Sequence, residues 1–132
     1  MAGHVRYEKQ GTVGHLILDR PEQRNALDSA TWRAVSDTVL EAEQSGVRVL
    51  IVRGVDETAF AAGADMGELE RNAADPESAS ACNQAIIAAG DTLANSPLPT
   101  IAMIHGACIG GGVELASLLS GNGAHQISTD CL

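Results

Sequence analysis

The stretch Ile101-Ala102-Met103-Ile104-His105-Gly106-Ala107-Cys108-Ile109-Gly110-Gly111-Gly112-Val113-Glu114-Leu115 decides the fold. Its first four residues form an apolar run and predict a buried strand. The glycines from Gly106 to Gly112 predict a tight turn, and Val113 to Leu119 predicts the start of a helix. A strand feeding a helix in this way belongs to an α/β protein with a largely parallel sheet. Upstream, Val49-Leu50-Ile51-Val52 is a second apolar run, of the kind found where a parallel sheet is covered on both faces. Val5 to Gln10 and Val13 to Leu18 flank Gly11 and predict two strands around a short turn. Trp32, Val35, Val39 and Ala42 form one helical stripe, capped at Asp28 or Ser29, running to about Ser45 and stopped at Gly46. Asp75-Pro76-Glu77 opens another helix, with Cys82, Ile86, Ala89 and Leu93 on its inner face and Pro97 and Pro99 at its end. Asp19 to Asn25 and Gly54 to Asp65 predict loops, and Met66 to Asp75 a flexible segment.

Composition narrows the function. The 132 residues are 45% hydrophobic and 19% charged, which fits one globular domain and excludes a disordered chain. No run approaches the roughly 18 apolar residues of a spanning helix. Eight basic residues against seventeen acidic ones give a net charge of −9, and Trp32, Tyr7 and Phe60 are the only aromatics. Nucleic acid is therefore an unsuitable partner, and a membrane surface is not indicated. Cys82, Cys108 and Cys131 suggest neither a disulfide framework nor a metal site, and His4, His15 and His125 stand at no metal-like spacing. No apolar signal core follows Met1, so a reducing cytoplasm is the simplest compartment.

The glycine turn carries two readings. Glycines in strand-to-helix turns often serve packing alone. They also let another group approach the backbone, and helix N-terminal N–H groups favour a developing negative charge. Gly106 is followed two residues later by Cys108, so the turn is no dinucleotide fingerprint, and it lacks the lysine of a P-loop. Glu114 has a plain reading as an acid in a first helical turn, favoured by the helix dipole at roughly 0.3–1 kcal/mol. Cys108 reads as a small buried residue rather than a nucleophile, and His105 as a positional or solvent-facing residue.

Three blocks together are more specific: Arg20-Pro21 with Asn25-Ala26-Leu27; Phe60-Ala61-Ala62-Gly63-Ala64-Asp65 with Leu69; and Gly110-Gly111-Gly112-Val113-Glu114-Leu115-Ala116. In order and spacing, residues 4 to 116 resemble the N-terminal part of the enoyl-CoA hydratase/isomerase (crotonase) family. The resemblance implies an α/β, crotonase-like ββα superhelix that assembles as trimers or hexamers. It implies acyl-CoA thioester substrates, in fatty acid metabolism, with no separate cofactor, since CoA is part of the substrate. The backbone N–H groups of Ala64 and Gly111 would form an oxyanion hole, the arrangement in which donors aimed at one carbonyl oxygen stabilise its developing charge. Arg24, Ala26, Ala62, Ala64, Asp65 and Met66 would hold the CoA portion. Glu114 matches the first of two glutamates that activate water for addition to a 2-enoyl-CoA thioester, a lyase reaction.

The resemblance also sets an expectation for the end of the sequence. From Ser117 to Leu132 the pattern departs and holds no glutamate. Residues 117–132 are expected to be a divergent tail from a truncation or frameshift. The strand 101–104 and the following helix are then expected to lose partners, giving a marginally stable chain with impaired hydration. The alternative is a non-catalytic remnant that keeps part of the acyl-CoA site.

Overall fold

The first two strands, β1 (Val5–Gln10) and β2 (Val13–Leu18), pair antiparallel in a tight hairpin, as the alternation around Gly11 predicts. This computed structural model describes residues 4–120 and 126–128. After a 3-10 turn at Pro21–Gln23, the chain forms α1 (Ser29–Gln44), β3 (Val49–Gly54) and β4 (Ala59–Ala61). It continues through α2 (Met66–Ala74), α3 (Pro76–Asn95), β5 (Thr100–Ile104), β6 (Ala107–Cys108), α4 (Gly111–Ser120) and β7 (Gln126–Ser128).

Five strands form the main sheet in the order β1-β2-β3-β5-β7, parallel everywhere except in the first hairpin. The crossover between β2 and β3 is α1, which packs its Trp32–Val35–Val39–Ala42 stripe on β1, β2 and α3. The α1 N-cap is Asp28, whose carboxylate accepts the Thr31 N–H at 2.8 Å. Asp75 caps α3 through the Glu77 N–H, with Pro76 at the first helical position.

Several expectations change. β3 and β5 bury alternate residues, Leu50 and Val52 in one and Thr100, Ala102 and Ile104 in the other, while Ile51 and Ile101 are half-buried. One sheet face is covered fully and the other partly. The segments expected to be a loop (Gly54 to Asp65) and flexible (Met66 to Asp75) contain β4 and α2 respectively. The glycine turn contains β6, which pairs parallel with β4 in a separate small sheet. The strand and helix expected to lose partners are packed. β5 lies between β3 and β7, and α4 continues past Ala116 to Ser120 against β5, with Leu115 and Leu119 fully buried. Residues 121–125 and 129–132 of the expected tail, with His125 and Cys131, lie outside the described residues. Among the described residues no helix is long and apolar enough to cross a membrane.

Candidate functional site

The small β4–β6 sheet explains why two loops distant in sequence meet. Ala59 pairs with Ala107 and Ala61 with Cys108, and the Ile109 N–H donates to Ala61 O at 3.1 Å. The chain leaving β4 and the chain entering α4 are thereby laid side by side. Gly112 makes the approach possible, since a Cβ on it would lie 2.2 Å from Ala61 O. Gly106 does the same at the other end: its Cβ would lie 2.1 Å from Thr58 O, and its φ of +71° suits glycine.

The loop after β4 is clamped from upstream. The Leu27 N–H donates to Gly63 O at 2.7 Å and the Asp65 N–H to Leu27 O at 3.2 Å, leaving Ala64 between two fixed neighbours. In a trans peptide the C=O and the following N–H point in opposite directions. Because Gly63 O faces Leu27, the Ala64 N–H faces away from it. A Cβ built on Gly111 would lie 3.8 Å from the Ala64 nitrogen, so the two amides are neighbours. Gly111 is the first residue of α4, and its N–H belongs to the unpaired set at a helix N-terminus. Among the described residues neither the Ala64 nor the Gly111 N–H has a backbone acceptor.

Asn25 braces this clamp. It is buried at 3% exposure, with φ of +58° beside Arg24 at +49°. Its Nδ2 donates to Ala59 O and Phe60 O, both at 3.1 Å, and its Oδ1 accepts the Arg20 N–H at 2.8 Å. Arg20 Nη1 in turn lies 2.7 Å from Asp65 Oδ2 and 3.7 Å from Asp28 Oδ2.

A cavity of about 320 Å³ opens beside the two amides. Ala64, Asp65, Gly111 and Glu114 are among its lining residues, and Trp32, Cys82 and Ile86 contribute to its largely apolar wall. Three residues singled out from the sequence, Ala64, Gly111 and Glu114, are thus brought together. Glu114 is exposed, in the first turn of α4. Ala26 is buried, Ala62 half-buried, and Arg24 and Met66 exposed, and none of these four lines the cavity. The Asp65 carboxylate is engaged structurally. It caps α2 through the Glu68 N–H at 2.8 Å as well as pairing with Arg20. The Glu68 amide first, and then the Arg20 guanidinium, hold the Asp65 carboxyl below its ordinary pKa against the opposing effect of burial. His105 faces a different, smaller cavity with Arg53 and Met103. Cys108 is buried in the core, in keeping with its reading as a small packing residue. Among the described residues no group of three His, Cys, Asp or Glu side chains is arranged to hold a metal ion.

Glu68 is one of the lining residues that the sequence reading missed, with Asn72, Ala79 and Asn83. Its two oxygens accept the Ser29 N–H at 2.9 and 3.1 Å, and Oε1 also accepts the Cys82 thiol at 3.2 Å. One carboxylate of α2 thereby satisfies an orphan donor of α1 and holds α3. The Asp65-x-x-Glu68 spacing is that of a capping box, yet the Asp65 N–H donates to Leu27 O, so the spacing does not signal the bonds Glu68 makes. Burial, first, and the neighbouring Glu68 push the Cys82 thiol pKa up, while the Ser29 hydroxyl opposes this.

Comparison with known proteins agrees on one family. Residues 8–119 match the family model described as "Enoyl-CoA hydratase/isomerase". A Dictyostelium discoideum protein described as "Probable enoyl-CoA hydratase, mitochondrial" is 38% identical over 112 residues, covering 84% of this chain and 39% of the relative. The mitochondrial Delta(3,5)-Delta(2,4)-dienoyl-CoA isomerase of Mus musculus is 33% identical, covering 82% of this chain and 36% of the relative. Among solved structures, an enoyl-CoA hydratase/carnithine racemase from Magnetospirillum magneticum superposes with a TM-score of 0.86 at 32% identity, covering 96% of this chain and 46% of that one. The chain therefore spans less than half the length of each of these three relatives.

Proposed function

The chain belongs to the enoyl-CoA hydratase/isomerase family, and from that premise we propose that its cavity receives the acyl group of a 2-enoyl-CoA thioester for the addition of water. The thioester oxygen sits between the Ala64 and Gly111 N–H groups. As water adds at the β-carbon, electron density moves onto that oxygen. Two backbone donors fixed beforehand stabilise it with little reorganisation. The Glu114 carboxylate, which lines the same cavity, orients the water and takes its proton, and collapse of the enolate returns that proton to the α-carbon. The apolar wall at Trp32, Cys82 and Ile86 takes the acyl chain. Arg24, exposed beside the clamp, is suited to a CoA phosphate, and the backbone of Ala26, Ala62, Asp65 and Met66 to the rest of the CoA portion. CoA arrives as part of the substrate and no other cofactor is required. A trimer or hexamer is the assembly that membership of the family implies for its full-length members. We keep the cytoplasm as its compartment, although two relatives carry mitochondrial names.

The observation that carries this reading is the adjacency, at a cavity shared with Glu114, of two amides that have no backbone acceptor among the described residues. A second reading rests on Glu68, the other lining glutamate, whose oxygens are already engaged by Ser29 and Cys82. With Glu114 as the one lining glutamate whose carboxylate has no hydrogen bond among the described residues, the chain binds and polarises an acyl-CoA without completing hydration. Crotonyl-CoA hydration, followed as loss of conjugated-thioester absorbance, separates the two. Turnover reduced about 10²–10⁴-fold by Glu114→Gln supports the enzyme. Binding without turnover supports the second reading, and absence of binding overturns both.

A further inference from the structure

We propose that Arg20 is a positioning residue for the Ala64 amide, acting through Asp65. This rests on the reading of the Ala64 N–H as a carbonyl donor. Arg20 grips both ends of the segment that presents this amide. At its main chain, the Arg20 N–H donates to Asn25 Oδ1 at 2.8 Å and Arg20 O accepts the Asn25 N–H at 2.9 Å. The Asn25 amide then holds Ala59 O and Phe60 O, where the segment begins. At its side chain, the guanidinium meets Asp65 at 2.7 Å, immediately after Ala64, with side-chain exposures of 17% and 12%. The circuit from Arg20 through Asn25, β4, Ala64 and Asp65 back to Arg20 is closed.

The same guanidinium lies 3.7 Å from Asp28, the α1 N-cap, while Asp65 is the α2 N-cap. Removing the guanidinium leaves two cap carboxylates to repel each other across the entrance to the Ala64 loop. A planar fork can serve two carboxylates at once, whereas an ammonium is a single point charge. Arg71, on α2, also lowers the Asp65 pKa by its charge, yet no ion pair between the two is recorded among the described residues. It serves as the control.

The test is backbone ¹⁵N relaxation of the ligand-free chain. In Arg20→Met, the Ala64 order parameter falls from the rigid value of about 0.85 to below about 0.6, while β1 and β2 stay rigid. Arg20→Lys falls part of the way, and Arg71→Met does not change. Adding Asp65→Asn to Arg20→Met lowers the Ala64 order parameter no further, because the ion pair is already broken and asparagine caps a helix as well as aspartate. That non-additivity marks action through Asp65. If Arg20→Met does not fold, Arg20→Lys with and without Asp65→Asn decides the question.

A second readout follows the carbonyl stretch of bound crotonyl-CoA labelled with ¹³C at the thioester. Arg20→Lys shrinks the binding-induced downshift while the dissociation constant changes less than about tenfold. An Ala64 amide as rigid in Arg20→Met as in the parent chain overturns the proposal, as does additivity with Asp65→Asn. If the parent chain does not bind crotonyl-CoA, the functional reading fails, and the amide order alone decides the role of Arg20.

Discussion

Residues 59–65 are braced by Arg20, Asn25 and Leu27 from upstream, whereas residues 105–112 pair with residues 58–61 only because Gly106 and Gly112 leave room for main chain to meet main chain. In the first loop Asn25, Leu27 and Arg20 each supply a bond or ion pair, and an alanine supplies the amide. In the second, Gly106 and Gly112 let main chain touch main chain, and the amide belongs to a helix N-terminus. Both constructions fix an N–H without using a side chain as donor. They differ in what breaks them: loss of a partner undoes the first, and gain of one methyl undoes the second.

Gly106→Ala puts a Cβ 2.1 Å from the Thr58 carbonyl at a left-handed φ and has the largest effect on stability. Overpacking and backbone strain together are expected to cost about 3 kcal/mol or more, read by urea denaturation. Asn25→Ala comes next. It strips the amide partners of Ala59 O and Phe60 O and the acceptor of Arg20 N–H, an expected loss of about 2–3 kcal/mol by the same measurement. If this loss equals that of Gly106→Ala, the ranking of bonds against space is wrong.

Acid offers a gentler way to undo the first loop. The Asp65 pKa is depressed in the folded chain, so its pairing stabilises fully above the unfolded value and is lost as pH falls through the folded one. Between pH 5 and 3 the Tm of the parent chain is expected to drop more than that of Asp65→Asn. The smallest stability effect is expected of Gly111→Ala. Its Cβ meets Leu27 Cδ1 at 3.4 Å and Ala64 N at 3.8 Å, ordinary contacts, so stability should shift by no more than about 0.5 kcal/mol. That methyl nevertheless sits over the paired amides, so crotonyl-CoA binding should weaken while urea denaturation barely moves.

Legibility in the sequence follows the same division. Elements that announce themselves by period, cap or punctuation are found where expected: the β1–β2 hairpin, α1 behind Asp28, α3 behind Asp75-Pro76, and β5 leading through glycines into α4. β4 and β6 are three and two residues long, too short for a period, and exist because Gly112 and Gly106 let them pair. α2 has nine residues and none fully buried, and its short stripe of Met66, Leu69 and Ala73 stays exposed, so its apolar period does not mark a core-packed helix. Its caps and the grip of Glu68 on Ser29 and Cys82 stand in for core packing. Ala64, Gly111 and Glu114 were legible through the spacing of motif blocks. Arg20 stood in a motif block without a role, and Glu68 was not singled out, because their roles depend on partners that only the folded chain brings near.

The most direct measurement is an amide-resolved titration of the chain with crotonyl-CoA. A carbonyl oxygen seated between the two donors moves the Ala64 and Gly111 amide protons downfield together, along one binding curve, while the β1 and β2 amides stay still. Saturable binding that leaves both of these amides unmoved would contradict the account.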